Sequence, residues 1–521
     1  MSGPLARLLG SGVPGAEVVF GLDGDRRSAA DLGEQGARAV GPAGAPSIGA
    51  LLTNDAPSVS LVLGTIATGA RLVTMPLPGR GADPVVYAAF LESVRAAHGI
   101  EHIVARDDVA ELLTAMGVPA LPHRALGRRT LGAPTGRGFE LVQFSSGSTA
   151  APKGVLLNEH VLATNLRAIL RRVEPTAGDV TVSWLPLSHD MGLIGMFLTS
   201  VAAGAPSMAA GGQIVLLDTE RFLRRPIEWL DAISHWNGTF TAAPDFGFRL
   251  ALRALDVTSR PLDLSRLRCA IVGGEIVRTD TMRATERALA GHGLRTGALL
   301  PAYGMAEVGL AVTMTRPGAA WAHASADAFG LADGARRAPT SPSTAVDLVS
   351  SGTALDGYAV TVEGPDEVGP LVVSAPAIGW DSATGRSWAE GGRYRTGDIG
   401  WVDQDGDVFV CGRLDDHLVV NARNLYAPAI EWAVSCVDGV RAGRTTAVGL
   451  PDGTWVVVAE TQGPDDRTAV ASAIRRACTK VVQVQPDRIV LVEGGALPMT
   501  ASGKVQRREV GRRILSGELG G

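Results

Sequence analysis

What most constrains the fold is an alternation of two textures. Short, almost wholly apolar runs are separated by longer stretches with helical spacing, through residues 1–140 and again after 150. In the first stretch SIGALLTN, GARLVTMPL and EHIVARDD read as strands, with Ala/Leu-rich helices between them. In the second, LNEHVLATNLRAILRRV has helical spacing, while GQIVLLD, GTFTAAP and LRCAIVGGE read as strands. Parallel strands need long crossovers, and helices supply them on both faces of the sheet. The expected class is therefore α/β, with a mostly parallel sheet. From about 346 the texture changes. DLVSSG, YAVTVEG, GPLVVSAP and GDVFVCG are short strands with turn residues between them, which predicts an antiparallel, barrel-like β unit. About 105 residues follow Arg413, with helices expected near 427–437 and 467–480. They read as a further unit of their own. The stretch 316–345, rich in Ala, Gly, Ser and Pro, reads as an irregular excursion.

Composition narrows the function classes. With 521 residues, 46% of them apolar, the chain can bury a large core without disulfides or a structural metal. A net charge of −5, with both signs interspersed, makes no electrostatic case for nucleic acid or an anionic membrane. Cysteines 269, 411, 436 and 478 form no CxxC pair and read as ordinary thiols of a reducing compartment. Residues 191–217 carry no charge, yet five glycines and Pro206 interrupt them. A buried helix, a Gly-rich turn and a buried strand fit better than a membrane span. The N-terminal apolar stretch is too short for a signal peptide. The expectation is a soluble, cytoplasmic protein.

Lysine usage directs attention to chemistry. Of 48 basic residues only Lys153, Lys480 and Lys504 are lysines, and Lys153 and Lys504 each adjoin glycine in loop-like sequence. A compact ammonium is not interchangeable with a guanidinium. Lys153 is the last residue but one of FSSGSTAAPKG (144–154), which follows a strand and precedes a helix. Small hydroxyl residues and glycine let backbone N–H groups approach an anion. Ser145, Ser146, Gly147, Ser148, Thr149 and Lys153 therefore compose a phosphate-binding loop. It is not a Walker A loop, because Pro152 precedes the lysine and Gly154 follows it.

This loop resembles that of the adenylate-forming superfamily, and further segments follow in the family's order. Trp184-Leu-Pro-Leu-Ser-His189-Asp190-Met-Gly192 is similar to the segment that turns into the acyl pocket. Gly273-Gly274-Glu275 resembles the loop beside the adenine, and Ala302-Tyr303-Gly304-Met305-Ala306-Glu307 the aromatic-to-acid signature. Tyr394-Arg-Thr396-Gly397-Asp398 resembles the ribose-binding step, Gly412-Arg413-Leu414-Asp415 the hinge, and Pro498-Met-Thr-Ala-Ser502-Gly503-Lys504 the C-terminal catalytic loop.

The resemblance implies a reaction: carboxylic acid plus ATP gives acyl-AMP and pyrophosphate, and the acyl group then moves to a thiol. Such chemistry needs positioning and charge neutralisation more than a protein nucleophile. Glu307 matches the ligand of a Mg²⁺ ion that bridges phosphates. Asp398 and Arg413 match groups for the ribose hydroxyls, and Tyr303 one that stacks on the adenine. Lys504 would sit between carboxylate and α-phosphate. At about 4 Å and an effective dielectric near 20, such a contact contributes about 4 kcal/mol. His189 would orient the carboxylate or gate the thiol. The family also implies a large N-terminal domain, 1–413, of two doubly wound α/β lobes and the barrel-like β unit, and a small mobile α/β domain, 416–521, turning at Asp415.

The acceptor divides the family. WLPLSHDMGLIG, Asn421-Ala422-Arg423-Asn424-Leu425-Tyr426 and Ala-Pro-Asp245-Phe246 resemble fatty acyl-AMP ligases, which load a carrier-protein phosphopantetheine. Those enzymes carry an inserted segment that restrains the mobile domain. At this length only 316–345 could be its remnant, which favours CoA as the thiol. Ala422 stands where the family has glycine, in the loop expected with Arg423 along the thiol tunnel. Trp236, Phe240, Asp245 and Phe246 are candidates for the acyl pocket. A half-reaction enzyme that uses supplied acyl-AMP and a non-catalytic acyl- or nucleotide-binding protein remain as rival readings.

Overall fold

The alternating texture is realised as two large mixed sheets. The computed structural model describes residues 3–519, apart from 11–14, 23, 41–46, 79–82, 127–130, 132–137, 145–152, 177, 204–212, 258–260, 340, 342–344, 415–416, 421–422, 451–452, 464–466 and 500–504. The first sheet has seven strands. Glu140–Phe144, Arg71–Thr74, Ser47–Ala50, Ile100–Ala105 and Ala120–Pro122 run parallel in that spatial order, and Gly154–Asn158 and Trp380–Asp381 add antiparallel at the 140–144 side. The second has nine. Its parallel centre runs Leu299–Gly304, Cys269–Val272, Phe240–Ala243, Val180–Ser183, Gln213–Leu216, Glu17–Phe20, with antiparallel strands at both edges.

Local chemistry starts the helices where the strands end. Asp55 accepts from Ser58 N–H to cap the helix Ala56–Thr68, and Asn158 accepts from Val161 N–H to cap Glu159–Val173. Both helices enter one core with Ile48, Leu72 and Leu141 of the first sheet and Val18, Ile214 and Leu216 of the second, which binds the two lobes together. Helices Ala29–Ala37 and Ala56–Thr68 approach through Gly36 and Gly64, where a Cβ on either would collide with the other helix's backbone. The uncharged segment after Met191 is helical through Ala202, with its first eight residues in a π-helix, and Gln213–Leu216 is a buried strand. No described helix is long and apolar enough to cross a membrane.

Two expectations need correction. The β-rich part is a four-stranded antiparallel sheet, Ala359–Val362, Gly369–Ser374, Arg393–Val402 and Val408–Arg413, and residues 351–353 pair beside Asp407 and Val408 at its edge. The strand Ala345–Val349, expected within it, pairs instead with His323–Asp327. So the 316–345 excursion is not irregular throughout. It contains one arm of a hairpin and the helix Ala328–Ala332. Beyond Arg413, a hairpin pairs His417–Val420 with Arg423–Tyr426. A three-stranded sheet follows (Val440–Gly449, Trp455–Thr461, Arg488–Val492) with helices Ala427–Ser435, Arg467–Val482 and Arg507–Leu515. Two of the hydrophobic cores draw only on residues from 418 onward.

Candidate active site

A cleft of about 2400 Å³ gathers most of the residues singled out from the sequence. That exceeds the roughly 300–1,000 Å³ of a small-ligand pocket and leaves room for more than a nucleotide. Its floor is made of strand ends. Leu299–Gly304 runs parallel to Cys269–Val272, so Ala302, Tyr303 and Gly304 emerge beside Gly273 and Gly274. The carboxyl ends of parallel strands are where open α/β sheets bind ligands. Gly273 has no room for a side chain, since a Cβ would stand 2.7 Å from the Ala302 carbonyl oxygen; Gly274 has φ +78°. Past Met305, whose N–H donates to the Leu310 carbonyl at 2.7 Å, a single 3-10 turn (Ala306–Val308) presents Glu307 to the cleft.

Two tyrosine–carboxylate pairs organise the polar part. Tyr303 donates to Asp398 Oδ2 at 2.6 Å, and Tyr394 donates to Glu307 Oε1 at 2.6 Å. Burial first, and then the adjacent carboxylate, pushes both phenols well above their ordinary pKa, so they remain protonated donors. Asp398 and Arg413 are register partners on antiparallel strands, which brings Arg413 Nη1 to 3.6 Å from Asp398 Oδ1. Gly397, with φ +75°, leaves space for that guanidinium: a Cβ there would stand 3.0 Å from Nη2. Lys153 also lines the cleft, with Nζ 5.8 Å from the centroid of the Trp388 ring.

His189 reaches the cleft on a loop held by its backbone. Asn54 donates to the carbonyls of Leu185 and Leu217 and accepts from Leu187 N–H, while Gln143 donates to the Ser188 carbonyl. His189 Nδ1 lies 2.8 Å from Asp190 Oδ1, and the same carboxylate oxygen caps Met191 N–H at 2.7 Å. The π-helix Met191–Leu198 begins there. Such widened turns recur at functional sites. Met191, Gly195 and Met196 from this helix, with Ile271, Leu310 and Met314, form an apolar flank of the cleft.

The candidate acyl residues divide. Phe246 lines the cleft and meets Trp184 edge to face at 5.9 Å. Trp236 and Phe240 do not line it. Trp236 follows a helix end, packs under Arg26 at 5.0 Å, and borders a separate shallow hollow with Leu22 and Leu262. Phe240 starts a central strand and is 6% exposed within the core. Asp245 borders the cleft, but its carboxylate is committed. It accepts from Arg278 N–H and Thr281 Oγ1 and ion-pairs with Arg249 at 2.9 Å. Burial raises its pKa against these partners. Glu275 is also committed, accepting from Phe246 N–H at 2.7 Å at the start of the helix Asp245–Asp256.

Ser145, Ser146, Gly147, Ser148, Thr149, Asp415, Ala422 and Lys504 lie outside the described residues. Arg423 opens the strand Arg423–Tyr426. On either side of 500–504, Met499 and Val505 form an isolated bridge and both line the cleft. So do Pro428, Trp432, Thr446 and Arg507, so the C-terminal residues form one of its walls. Sequence reasoning missed Asn54, Tyr394, Trp388, Arg278 and Trp432. Tyr394 stood inside a quoted motif, but only the fold shows that its hydroxyl faces Glu307.

Among the described residues no group of three or more His, Cys, Asp or Glu could hold a metal. One of the carboxylates that line the cleft, Glu307, suits Mg²⁺, which binds through one or two carboxylates together with substrate phosphates.

Comparison with known proteins now defines the family. The sequence pattern of the family described as AMP-binding enzyme matches residues 98–377. A Caulobacter vibrioides protein provisionally named an acyl-CoA synthetase is 32% identical over 73% of this chain and 68% of its own. The medium-chain-fatty-acid–[acyl-carrier-protein] ligase JamA of Moorena producens is 30% identical over 73% of this chain and 68% of its own. A solved structure from a study of fatty acyl-adenylate ligases of E. coli and L. pneumophila shares the fold, with TM-score 0.86, 24% identity, and 99% and 98% of the two chains covered. The chain belongs to the AMP-binding enzymes, as an adenylate-forming ligase that activates an acyl group.

Proposed function

We propose that this chain joins a carboxylic acid to ATP as acyl-AMP, releases pyrophosphate, and hands the acyl group to the thiol of a carrier-protein phosphopantetheine. The observation that carries the choice of acceptor is the packing of the excursion. Ala326, Ala328, Leu331 and Leu348 share one hydrophobic cluster with Ala429 and Val481 of the C-terminal part. Such a wedge is suited to restraining the C-terminal domain, as the inserted segment of carrier-loading ligases does. The second reading takes CoA as acceptor. The name of the Caulobacter relative favours it.

In either reading the large domain spans 1–413, and 416–521 turns about Asp415. The phosphate loop 145–149 and Lys153 cradle the ATP phosphates, and Glu307 holds the Mg²⁺ that screens their charge. Tyr303 covers the adenine while its hydroxyl orients Asp398 toward the ribose, beside Arg413. His189 orients the carboxylate at the polar end of the apolar flank. Lys504 neutralises the charge developing between carboxylate and α-phosphate, and Ala422 and Arg423 border the thiol path. Lys504→Ala is expected to lower adenylation about a hundredfold while nucleotide binding survives. Pyrophosphate exchange at the wild-type rate would refute that role. The acceptor test is a mass-spectrometric assay with ATP, Mg²⁺, a pooled panel of fatty, aryl and terpenoid acids, and either CoA or a holo-carrier protein. Acyl-AMP that accumulates with CoA and is consumed by the carrier supports the first reading. Acyl-CoA formed with AMP release establishes the second.

A further inference from the structure

Arg278 ends the loop that begins with Gly273 and Gly274 at the nucleotide end of the cleft. Its Cζ stands 3.3 Å from the ring centroid of Trp432, on the helix Ala427–Ser435 of the C-terminal part. Few cation–π contacts are closer, and both side chains border the cleft. The base of the contact is fixed. Arg278 N–H donates to the buried Asp245 at 3.0 Å, and Arg278 bridges to Leu348. A second approach lies nearby. Gly443, with φ +72°, faces Arg249, and a Cβ there would stand 3.3 Å from both terminal guanidinium nitrogens. Burial, reinforced by Arg249, lowers Arg278 to about 10. Asp245 thus takes the backbone N–H of Arg278 and the guanidinium of Arg249, while the guanidinium of Arg278 lies on the indole face of Trp432.

One loop therefore touches both the nucleotide end of the cleft and the C-terminal wall. We propose that the Arg278–Trp432 stack is a positioning contact, which seats the C-terminal domain over the nucleotide end for the adenylation half-reaction. The inference rests on the reading that the 499–505 loop serves adenylation.

The test uses the full chain with Arg278→Ala, Trp432→Ala, Trp432→Phe and the Arg278→Ala/Trp432→Ala double variant. Pyrophosphate exchange reports adenylation; acyl transfer from supplied acyl-AMP to the accepted thiol reports the other half-reaction. Each alanine variant is expected to lose at least tenfold in exchange kcat, with KM for ATP within threefold. Trp432→Phe should recover most of that loss, and the double variant should be no worse than the poorer single one. Acyl transfer should not fall. Additive losses, an equal fall in both half-reactions, or wild-type exchange in the alanine variants would overturn the contact. Wild-type exchange in Lys504→Ala would instead overturn the loop reading, and the two failures are separable.

Discussion

The hydroxyl of Tyr394 carries a chemical consequence out of proportion to its size. It occupies one oxygen of Glu307, the carboxylate proposed for Mg²⁺, and a hydrogen bond to a charged group contributes about 1.5–3 kcal/mol. Tyr394→Phe is expected to lower adenylation roughly tenfold and to shift the Mg²⁺ concentration for half-maximal rate at least threefold. An unchanged Mg²⁺ dependence would show that the bond only packs the strand. At this scale the sequence was legible where a residue type is rare or chemically committed. Glu307, Asp398, Arg413 and Lys153 all stood out, and all line the cleft. Trp236 and Phe240 misled, because an aromatic near a pocket motif reads alike whether it faces a cavity or the core. Only the direction of the strand and of the helix end separates the two, and neither is written in residue type.

Strands and helices with strong periodicity were legible almost throughout, from Ser47–Ala50 to Arg467–Val482. The failures have a common physical cause. The helix Ala328–Ala332 sits in a segment of Ala, Gly, Ser and Pro with little local preference. It is stabilised from outside, by Ala328 and Leu331 sharing a cluster with Trp401 and Phe409. The strand 345–349 likewise chose a partner that propensity could not name. Close approach of elements is also invisible to pattern but visible to geometry. Gly36 and Gly64 let two helices touch backbone to backbone. In isolation Gly64→Ala should favour the helix by about 1 kcal/mol. Here overpacking should outweigh that gain, for a net loss of about 1–3 kcal/mol. A raised midpoint in denaturant titration would contradict the packing argument.

For the whole molecule, the shared cluster around Leu331 ties the excursion to the C-terminal residues Ala429 and Val481. Leu331→Asp places a charge in that cluster, where Leu331 is 2% exposed. If the wedge discriminates against free CoA, the variant should use CoA at least fivefold better relative to a holo-carrier protein. An unchanged preference would show that the wedge does not select the thiol.

The wall of the cleft that comes from beyond residue 418 has its own hydrophobic cores. In the proposed two-domain reading, a molecule that spans the cleft acts as a thermodynamic cross-link between two cooperative units. Its binding free energy is divided between gripping the ligand and joining the units. Calorimetry of the free protein should resolve two endotherms. With a non-hydrolysable acyl-AMP analogue bound, the endotherm of the C-terminal unit should rise toward that of the larger one until they merge. In this sense the substrate is a temporary part of the protein's own architecture.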